Sequence, residues 1–266
     1  MINSTEPVRP TTHWVALVVV GLVGGLLSGA FGVGGGIVMV PLLLWLAKMD
    51  EREASVTSLS AVFPASIVGS IAYLLHGEVQ LVAAAALIVG AVPGALLGSW
   101  LVHRLHVKVL RWLFIALLVG VAVRTLFVTV ERGGEHPLTA LALVVLVIVG
   151  VFVGTASGLF GVGGGIIVVP ALVTGFGFAD LVAKGTSLVV MIVSSGVGSV
   201  AHARRGSIHW RTTIIVAISA IVASYGGVLL ALWMSPRVST VLFAVLMLLA
   251  ALQLIVRALR SSRSSK

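Results

Sequence analysis

The sequence predicts an all-α integral membrane protein made of two inverted-topology repeats, each with a Gly-rich re-entrant or broken helix hairpin followed by three transmembrane helices. Three observations lead to this prediction: the composition, an internal repeat, and the distribution of Lys and Arg among the loops. Of the 266 residues, 59% are hydrophobic and only 9% are charged, with a mean hydropathy of +1.20. Soluble domains carry about 25% charged residues, so a lipid bilayer has to solvate much of this surface.

Eight apolar runs follow one another along the chain, and each is at or above the roughly 20 residues that a crossing helix needs. Lipid offers the backbone no hydrogen-bond partners, so the crossings are expected to be helices. The first and fifth runs are too long for one crossing, and a cluster of glycines interrupts each of them. The runs are 14–46, 54–75, 79–102, 107–130, 138–178, 181–203, 212–234 and 238–256.

The glycine clusters are two copies of one motif. The segments Ser28–Pro41 and Ser157–Pro170 are identical at eleven of fourteen positions, and the offset of 129 residues continues without a gap to Thr57–Leu59 and Thr186–Leu188. Duplication of an apolar unit is how many transporters are built. The predicted parts are a polar N-terminal tail, a first membrane repeat, a linker, a second membrane repeat and a basic C-terminal tail, at 1–13, 14–130, 131–137, 138–260 and 261–266.

The positions of Lys and Arg distinguish two arrangements of the long runs. If all eight runs cross the bilayer, nine basic residues fall on one face and seven on the other, which indicates no orientation. If each long run is instead a hairpin of two half-helices that enter and leave on one side, thirteen fall on one face and only Arg132, Lys184 and Arg237 on the other. The positive-inside rule favours the hairpins. Each repeat then has an odd number of crossings, so the second copy is inverted and both termini are cytoplasmic.

The glycine motif supplies the first candidate binding residues. Glycine permits a tight turn, and the half-helix that follows begins with free N–H groups and a partial positive charge that suit an anion. Two such N-termini facing each other at the midplane would form an anion site without a charged side chain. Close packing alone is the alternative explanation. The candidates are Gly32, Gly34, Gly35 and Gly36, with their repeat partners Gly161, Gly163, Gly164 and Gly165.

Small and hydroxyl-bearing residues beside the hairpins form a second group. The pairs Thr57-Ser58 and Thr186-Ser187 lie at the same repeat position, early in the helix after each hairpin. A hydroxyl donates to an oxyanion without bringing charge, although it can also cap or back-bond its own helix. Weaker candidates of the same kind are the serines that begin each motif, Ser28 and Ser157.

A separate pattern concerns helix packing. Three glycines at every fourth residue, Gly90, Gly94 and Gly98, predict a groove for close packing of another helix.

Charged side chains are scarce within the apolar runs. Lys184 is either an anion contact at the outer mouth or a side chain whose ammonium group reaches the interface. All eight Asp and Glu residues lie in or beside loops, which argues against a Na⁺ or metal site and predicts no metal and no cofactor. The hairpins carry no catalytic acid or base, so an enzyme is not expected. Nucleic acid is not an expected partner either, because no basic face is interleaved with aromatics.

The duplicated Ser-Gly-x-Phe-Gly-Val-Gly-Gly-Gly-x-x-x-Val-Pro motif, each copy followed by Thr-Ser-Leu, resembles the TauE/SafE sulfite exporter family from about Trp14 to Arg260. The resemblance implies a multi-pass transporter of the bacterial cytoplasmic (inner) membrane that exports small sulfur-containing anions, such as sulfite or C2 organosulfonates of the sulfoacetate type. A passive channel, or a permease for another small organic anion, is the alternative. The implied partners are a small anionic substrate and the lipid bilayer; a homodimer and the coupling ion are left open.

Overall fold

The computed structural model describes residues 14–101, 138–160, 163–204 and 208–263, with a few isolated positions between 112 and 123. Within these residues every regular element is helical, which confirms the all-α fold class. The run predicted at 107–130 and the linker at 131–137 lie largely outside them. The helices are α1 (Trp14–Phe31), α2 (Gly36–Leu46), α3 (Glu51–Leu75), α4 (Leu81–Leu101), α5 (Ala140–Phe160), α6 (Gly165–Pro170, continued by a π-helical turn at Ala171–Gly175), α7 (Asp180–Arg204), α8 (Trp210–Trp233) and α9 (Pro236–Arg263).

Seven of the described helices are long and apolar enough to cross a membrane, and α2 and α6 with its π-helical turn are the shorter ones. Exposed tryptophans lie at helix ends: Trp14 starts α1, Trp45 is near the end of α2, and Trp210 and Trp233 bound α8. Tryptophan is enriched where a membrane meets water. At about 1.5 Å per residue α8 is roughly 35 Å long, enough to pass through the hydrocarbon core of a bilayer.

The helices that are equivalent under the repeat, α3 and α7, pack against each other and run antiparallel. Their bounds differ by the repeat offset of 129 residues. A Cβ added to Gly69 would lie 2.8 Å from Leu188 Cδ1, and one added to Gly198 would lie 2.5 Å from Leu59 Cδ2. The two contacts are equivalent under the repeat, because Gly69 corresponds to Gly198 and Leu59 to Leu188. Each contact joins the early part of one helix to the late part of the other. The helices α3 and α7 therefore run in opposite directions.

Two helix pairs, α1 with α8 and α4 with α5, pack in parallel through small residues. Each pair joins the first helix of one repeat to the fourth helix of the other. A Cβ on Gly25 would lie 2.3 Å from the Ala220 oxygen, and one on Gly94 would lie 2.2 Å from the Val151 oxygen. The predicted packing groove on α4 is confirmed. The contacts advance together along both helices of each pair, as at Gly21–Val216 and Gly29–Ser224, and at Gly90–Val147 and Gly98–Thr155.

The helices α1, α3 and α8 all begin at one end of the molecule, called the proximal end here; the opposite end is the distal end. Near the start of α3, Glu53 Oε1 lies 3.6 Å from His209 Nε2, just before α8. Further along, Ser224 Oγ donates to the Ala65 oxygen, so α3 and α8 are parallel. Because α1 is also parallel to α8, the chain has returned to the proximal end before α3 begins.

The return is made by a hairpin of unequal arms. The 18 residues of α1 extend about 27 Å, and the 11 residues of α2 about 17 Å. A Cβ on Gly35 would lie 2.2 Å from the Gly24 oxygen, and Met39 packs on Gly24. The helix α2 therefore starts beside the middle of α1 and runs back along its first half. The first arm, α1, is longer than the expected half-helix. Its second half extends beyond the level at which α2 starts, and there it packs on α8.

Candidate functional site

Two glycine loops precede the short helices: residues 32–35 before α2, and residues 163–164, the described part of the equivalent segment, before α6. Of the first loop, Gly32, Gly34 and Gly35 have φ angles of 67°, 79° and 64°. In the second, Gly163 and Gly164 both have a φ of 83°. Residues with a side chain rarely adopt these angles. The repeated glycines are therefore required by the backbone path at the start of α2 and α6.

The two glycine loops lie against each other. A Cβ on Gly165, the first residue of α6, would lie 2.6 Å from the Gly32 oxygen and 2.9 Å from Val33 Cα. The starting ends of the two short helices are thus brought together from the two repeats. Gly36, the first residue of α2, is buried beside them. Gly161 is the one glycine candidate that lies outside the described residues.

The side chain of Met191 fills the space between the glycine loops. It is fully buried in α7. Its Cε would lie 1.7 Å from a Cβ on Gly34 and 2.6 Å from one on Gly163, and its Sδ 2.7 Å from one on Gly165. The repeat equivalent of Met191 is Val62, which also borders Gly34. Sequence reasoning missed Met191, because one more methionine in an apolar helix carries no signal of its own.

Hydroxyl groups of α7 hold the backbone of both loops. Ser187 Oγ donates to the Gly32 oxygen at 2.7 Å, and Ser194 Oγ donates to the Gly163 oxygen at 2.8 Å. The Thr186 hydroxyl instead accepts from the Gln80 N–H at 3.0 Å. Of the Thr-Ser pair in the second repeat, Ser187 therefore supports a glycine loop, whereas Thr186 supports the segment that leads into α4.

The hydroxyl of Ser28 is buried and has no hydrogen-bond partner within the described chain. The Ser28 oxygen accepts the Gly32 N–H at 2.8 Å, so this serine lies one helical turn before the first glycine loop. A buried hydroxyl without a partner loses its hydrogen bonds to water without replacement. The other hydroxyl candidates, Thr57, Ser58 and Ser157, are buried as well.

Lys184 lies in the protein interior beside the first glycine loop. Its Nζ donates to Asp180 Oδ2 at 2.8 Å and also to Ser239 Oγ of α9. It lies 5.8 Å from the centre of the Phe31 ring, and a Cβ on Gly32 would be 2.7 Å from Lys184 Cα. The alternative in which this ammonium group reaches the interface is therefore wrong.

Asp180 lies beside a loop, as expected for all the acids, because it is the first residue of α7. It is nevertheless only 5% exposed and pairs with Lys184, one helical turn away. A buried charge is tolerated when it is paired and hydrogen-bonded. Throughout the part of the chain that the structure describes, His, Cys, Asp and Glu form no group of three or more that could hold a metal ion.

Many transporters are duplicated helical membrane folds whose helices are interrupted by glycines, as they are here. The chain belongs to the TauE/SafE family: the family model described as Sulfite exporter TauE/SafE matches residues 2–125 and 146–266. The two matched segments correspond to the two repeats. Since the family and the related proteins are described as membrane transporters, the protein is a transporter and not an enzyme.

Relatives in distant organisms share this description. The chain is 26% identical over 265 residues to the probable membrane transporter protein YunE of Bacillus subtilis, covering 91% of this chain and 97% of that protein. It is 33% identical over 133 residues to the probable membrane transporter protein MamO of Magnetospirillum gryphiswaldense, covering 44% and 21%. It is also 33% identical over 105 residues to the sulfite exporter TauE/SafE family protein 1 of Arabidopsis thaliana, covering 40% and 23%.

Proposed function

We propose that the protein carries small sulfur-containing anions, such as sulfite or C2 organosulfonates of the sulfoacetate type, across the bacterial cytoplasmic membrane. The family description supports both the substrate class and export as the direction. The observation that carries the anionic character of the substrate is the contact between the two glycine loops, where the N-termini of α2 and α6 converge. The first amides of a helix have no partner within the helix and carry partial positive charge.

The depth of the loops agrees with a site near the membrane midplane. Gly35 lies beside Gly24, which is ten residues after the exposed Trp14. Ten residues of helix extend about 15 Å, or half the thickness of a hydrocarbon core of about 30 Å. An anion at this depth is far from bulk water, so it needs the converging amides and hydroxyls. Lys184 lies beside the first loop, but its ammonium group is paired with Asp180, so the pair adds no net charge there.

Ser28 is the residue that tests this site most directly. An anion bound at the glycine loops would accept a hydrogen bond from its hydroxyl, which has no partner in the described chain. The Ser28→Ala variant should therefore bind sulfite or sulfoacetate about tenfold more weakly, as expected for one hydrogen bond of roughly 1.4 kcal/mol. Substituting the glycines is less informative. Gly35, for example, has a φ of 64° and no room for a Cβ, so folding and binding would change together.

The experiment is isothermal titration of the purified protein with sulfite, sulfoacetate, taurine, acetate and phosphate, followed by uptake of the bound compounds into proteoliposomes. The matched control is Thr213→Val. The Thr213 hydroxyl is also buried and has no hydrogen-bond partner among the described residues, but it lies in the first turn of α8 and not at a glycine loop. We expect saturable binding of the sulfur oxyanions, weakened by Ser28→Ala and unchanged by Thr213→Val. Binding of none of the anions contradicts the proposal; non-saturating flux would identify a passive channel instead.

The loop charges support a cytoplasmic location for the proximal end. With the hairpin returning to the end where α1 starts, the described basic residues Lys48, Arg52, Arg204 and Arg211 fall on that end. Both termini are then cytoplasmic, and the start of α7 with Asp180 and Lys184 belongs to the distal, periplasmic half of the protein.

A further inference from the structure

We propose that Asp180 is a proton-binding site that couples the movement of the anion to the movement of one proton. The inference deepens the proposed function and rests on it. It arises from a feature that anion binding at the glycine loops does not use: an acid and a base, both almost fully buried in the first turns of a membrane helix. Ionisable groups at such depth are costly and are concentrated along substrate and proton pathways.

The ion pair lines a small cavity between α6, its π-helical turn, α7 and α9. The surrounding cavity has room for about one water molecule, and its other polar lining groups are hydroxyls of the π-helical turn and of α9. The walls are formed by Val169, Pro170, Val173, Thr174, Ser239, Thr240 and Phe243. The ammonium of Lys184 has the Asp180 carboxylate 2.8 Å away as its counterion.

Charge balance links an anion to a proton at this cluster. With Asp180 ionised and Lys184 protonated, the empty pair is neutral. The cavity is too small to admit the anion, but Lys184 lies beside the first glycine loop and turns its ammonium group toward an anion bound there. This movement leaves the carboxylate with an uncompensated negative charge in a medium of low dielectric. Binding of a proton at Asp180 Oδ2 removes that charge. The cluster is then neutral again, and one anion and one proton are bound together.

The groups that face Asp180 leave it as the acceptor for this proton. Of the residues that the structure describes, α9 and the π-helical turn contribute hydroxyl and apolar side chains to the cavity. From α3 and the turn after it, the Tyr73 phenol lies near enough to feel the charges of both Asp180 and Glu78. The Tyr73 phenol is already engaged, since it donates to the Gly29 oxygen at 2.8 Å. Glu78 lies in the turn at the distal end, where a proton can arrive from solvent.

The arrangement is asymmetric between the repeats. The residue equivalent to Asp180 is Glu51, but the residue equivalent to Lys184 is Ser55, so the first repeat cannot form the same pair. One proton site therefore serves both inverted halves. For a monovalent anion the cycle moves no net charge, so the pH gradient and the anion gradient set its direction and the membrane potential does not. Export then occurs where the internal anion concentration outweighs an opposing proton gradient.

The experiment uses the full chain in proteoliposomes with labelled isethionate, a C2 sulfonate whose single charge does not titrate at working pH. For the unaltered protein we expect the uptake rate to rise at least tenfold when the exterior is acidic. One proton should enter with each anion, and a K⁺ diffusion potential should leave the uptake rate unchanged. The Asp180→Asn variant should lose the response to the pH gradient but keep exchange of internal for external isethionate. Glu51→Gln, the matched control in the other repeat, should keep both.

A second variant separates coupling from structural support. Asp180→Asn with Lys184→Met removes both charges, so it should recover the thermal stability that either single change lowers. We expect this double variant to remain unresponsive to the pH gradient. Recovery of gradient-driven uptake would show that the pair is structural only and would overturn the inference. Uptake by the unaltered protein that follows the membrane potential and not the pH gradient would also overturn it, while leaving anion transport in place; absence of anion transport would overturn both proposals.

Discussion

Met191 occupies the position that a side chain on Gly34 would need, with its Cε 1.7 Å from where a Cβ would stand. The same methionine borders Gly163 and Gly165 of the other repeat. One flexible, polarisable side chain thus fills the space between the two glycine loops. A thioether is well suited to this place, because its three rotatable bonds let it leave and refill an irregular space.

Removal of this side chain should widen the path for the anion. In Met191→Ala we expect transport of larger sulfonates, such as benzenesulfonate, that the unaltered protein excludes, together with a loss of stability of about 2–5 kcal/mol from the cavity. The measurement is uptake of sulfonates of increasing size into proteoliposomes. Met247→Ala is the matched control, since Met247 is equally buried but packs with Phe243 of α9. It should lose similar stability and keep the size limit; an unchanged size limit in Met191→Ala would remove this residue from the pathway.

The hydrogen bond from Ser187 to Gly32 should matter more for anion affinity than for folding. Ser187→Ala frees the carbonyl of the first glycine loop, and we expect anion affinity to fall by about 0.5–1.5 kcal/mol as the loop becomes less well held. Titration calorimetry measures the change. The control is Ser219→Ala, because Ser219 donates only to the Ile215 oxygen of its own helix. Equal effects of the two variants would show that Ser187 has no special relation to the site.

Close helix packing makes a sharp prediction for two glycines in the middle of long helices. A Cβ on Gly94 would overlap the Val151 oxygen of the neighbouring helix, whereas one on Gly226 meets nothing within 4 Å. Gly94→Ala should therefore lower stability by about 1–3 kcal/mol through forced separation of α4 from α5. Gly226→Ala should be neutral or stabilising by up to about 1 kcal/mol, since Ala favours helix. Thermal unfolding in detergent micelles gives both values, and a loss at Gly226 equal to that at Gly94 would contradict the packing explanation.

The orientation in the membrane can be tested without first removing native thiols, because the sequence has no cysteine. Single cysteines would replace Lys48 and His209 at the proximal end, and His76 and Ser235 at the distal end, all of which are exposed. With an impermeant maleimide on intact cells, we expect labelling at His76 and Ser235 only. Labelling at the other two positions should require permeabilised cells. The reverse pattern would place the termini in the periplasm, and labelling of all four would contradict the paired arrangement of helix ends.

Sequence reasoning reached the fold class and the central role of the glycines because both have strong local causes. In an apolar run of spanning length, a helix satisfies the hydrogen bonds of the backbone within the segment itself. A positive φ favours glycine at Gly32, Gly34 and Gly35 in one copy and at Gly163 and Gly164 in the other. The groove predicted at Gly90, Gly94 and Gly98 followed from spacing alone and is present. Residues 1–13 and 264–266, and most of 107–130, lie outside what the structure describes.

Sequence reasoning did less well with individual side chains. Lys184 was expected either at the anion or at the interface. Asp180 was expected beside a loop, where it is, but the sequence did not show that it is buried and paired with Lys184. The two are one turn apart on the same helix, and Ser239, 55 residues further on, supplies a third member of the cluster. Thr186 and Ser187 looked equivalent as hydroxyl donors, yet they face Gln80 and Gly32 respectively.

The amino-acid sequence by itself determined that this chain is a duplicated helical membrane protein with two glycine turns. Composition, periodicity and preferred backbone conformation depend on each residue and its near neighbours in the chain, so they can be read from the sequence. Only the tertiary structure decided that the two turns touch, that Met191 closes the space between them, and that Asp180 and Lys184 share a buried site with Ser239. Those contacts join residues far apart in the chain, and they depend on how α3 and α7 cross in opposite directions, which no single segment encodes.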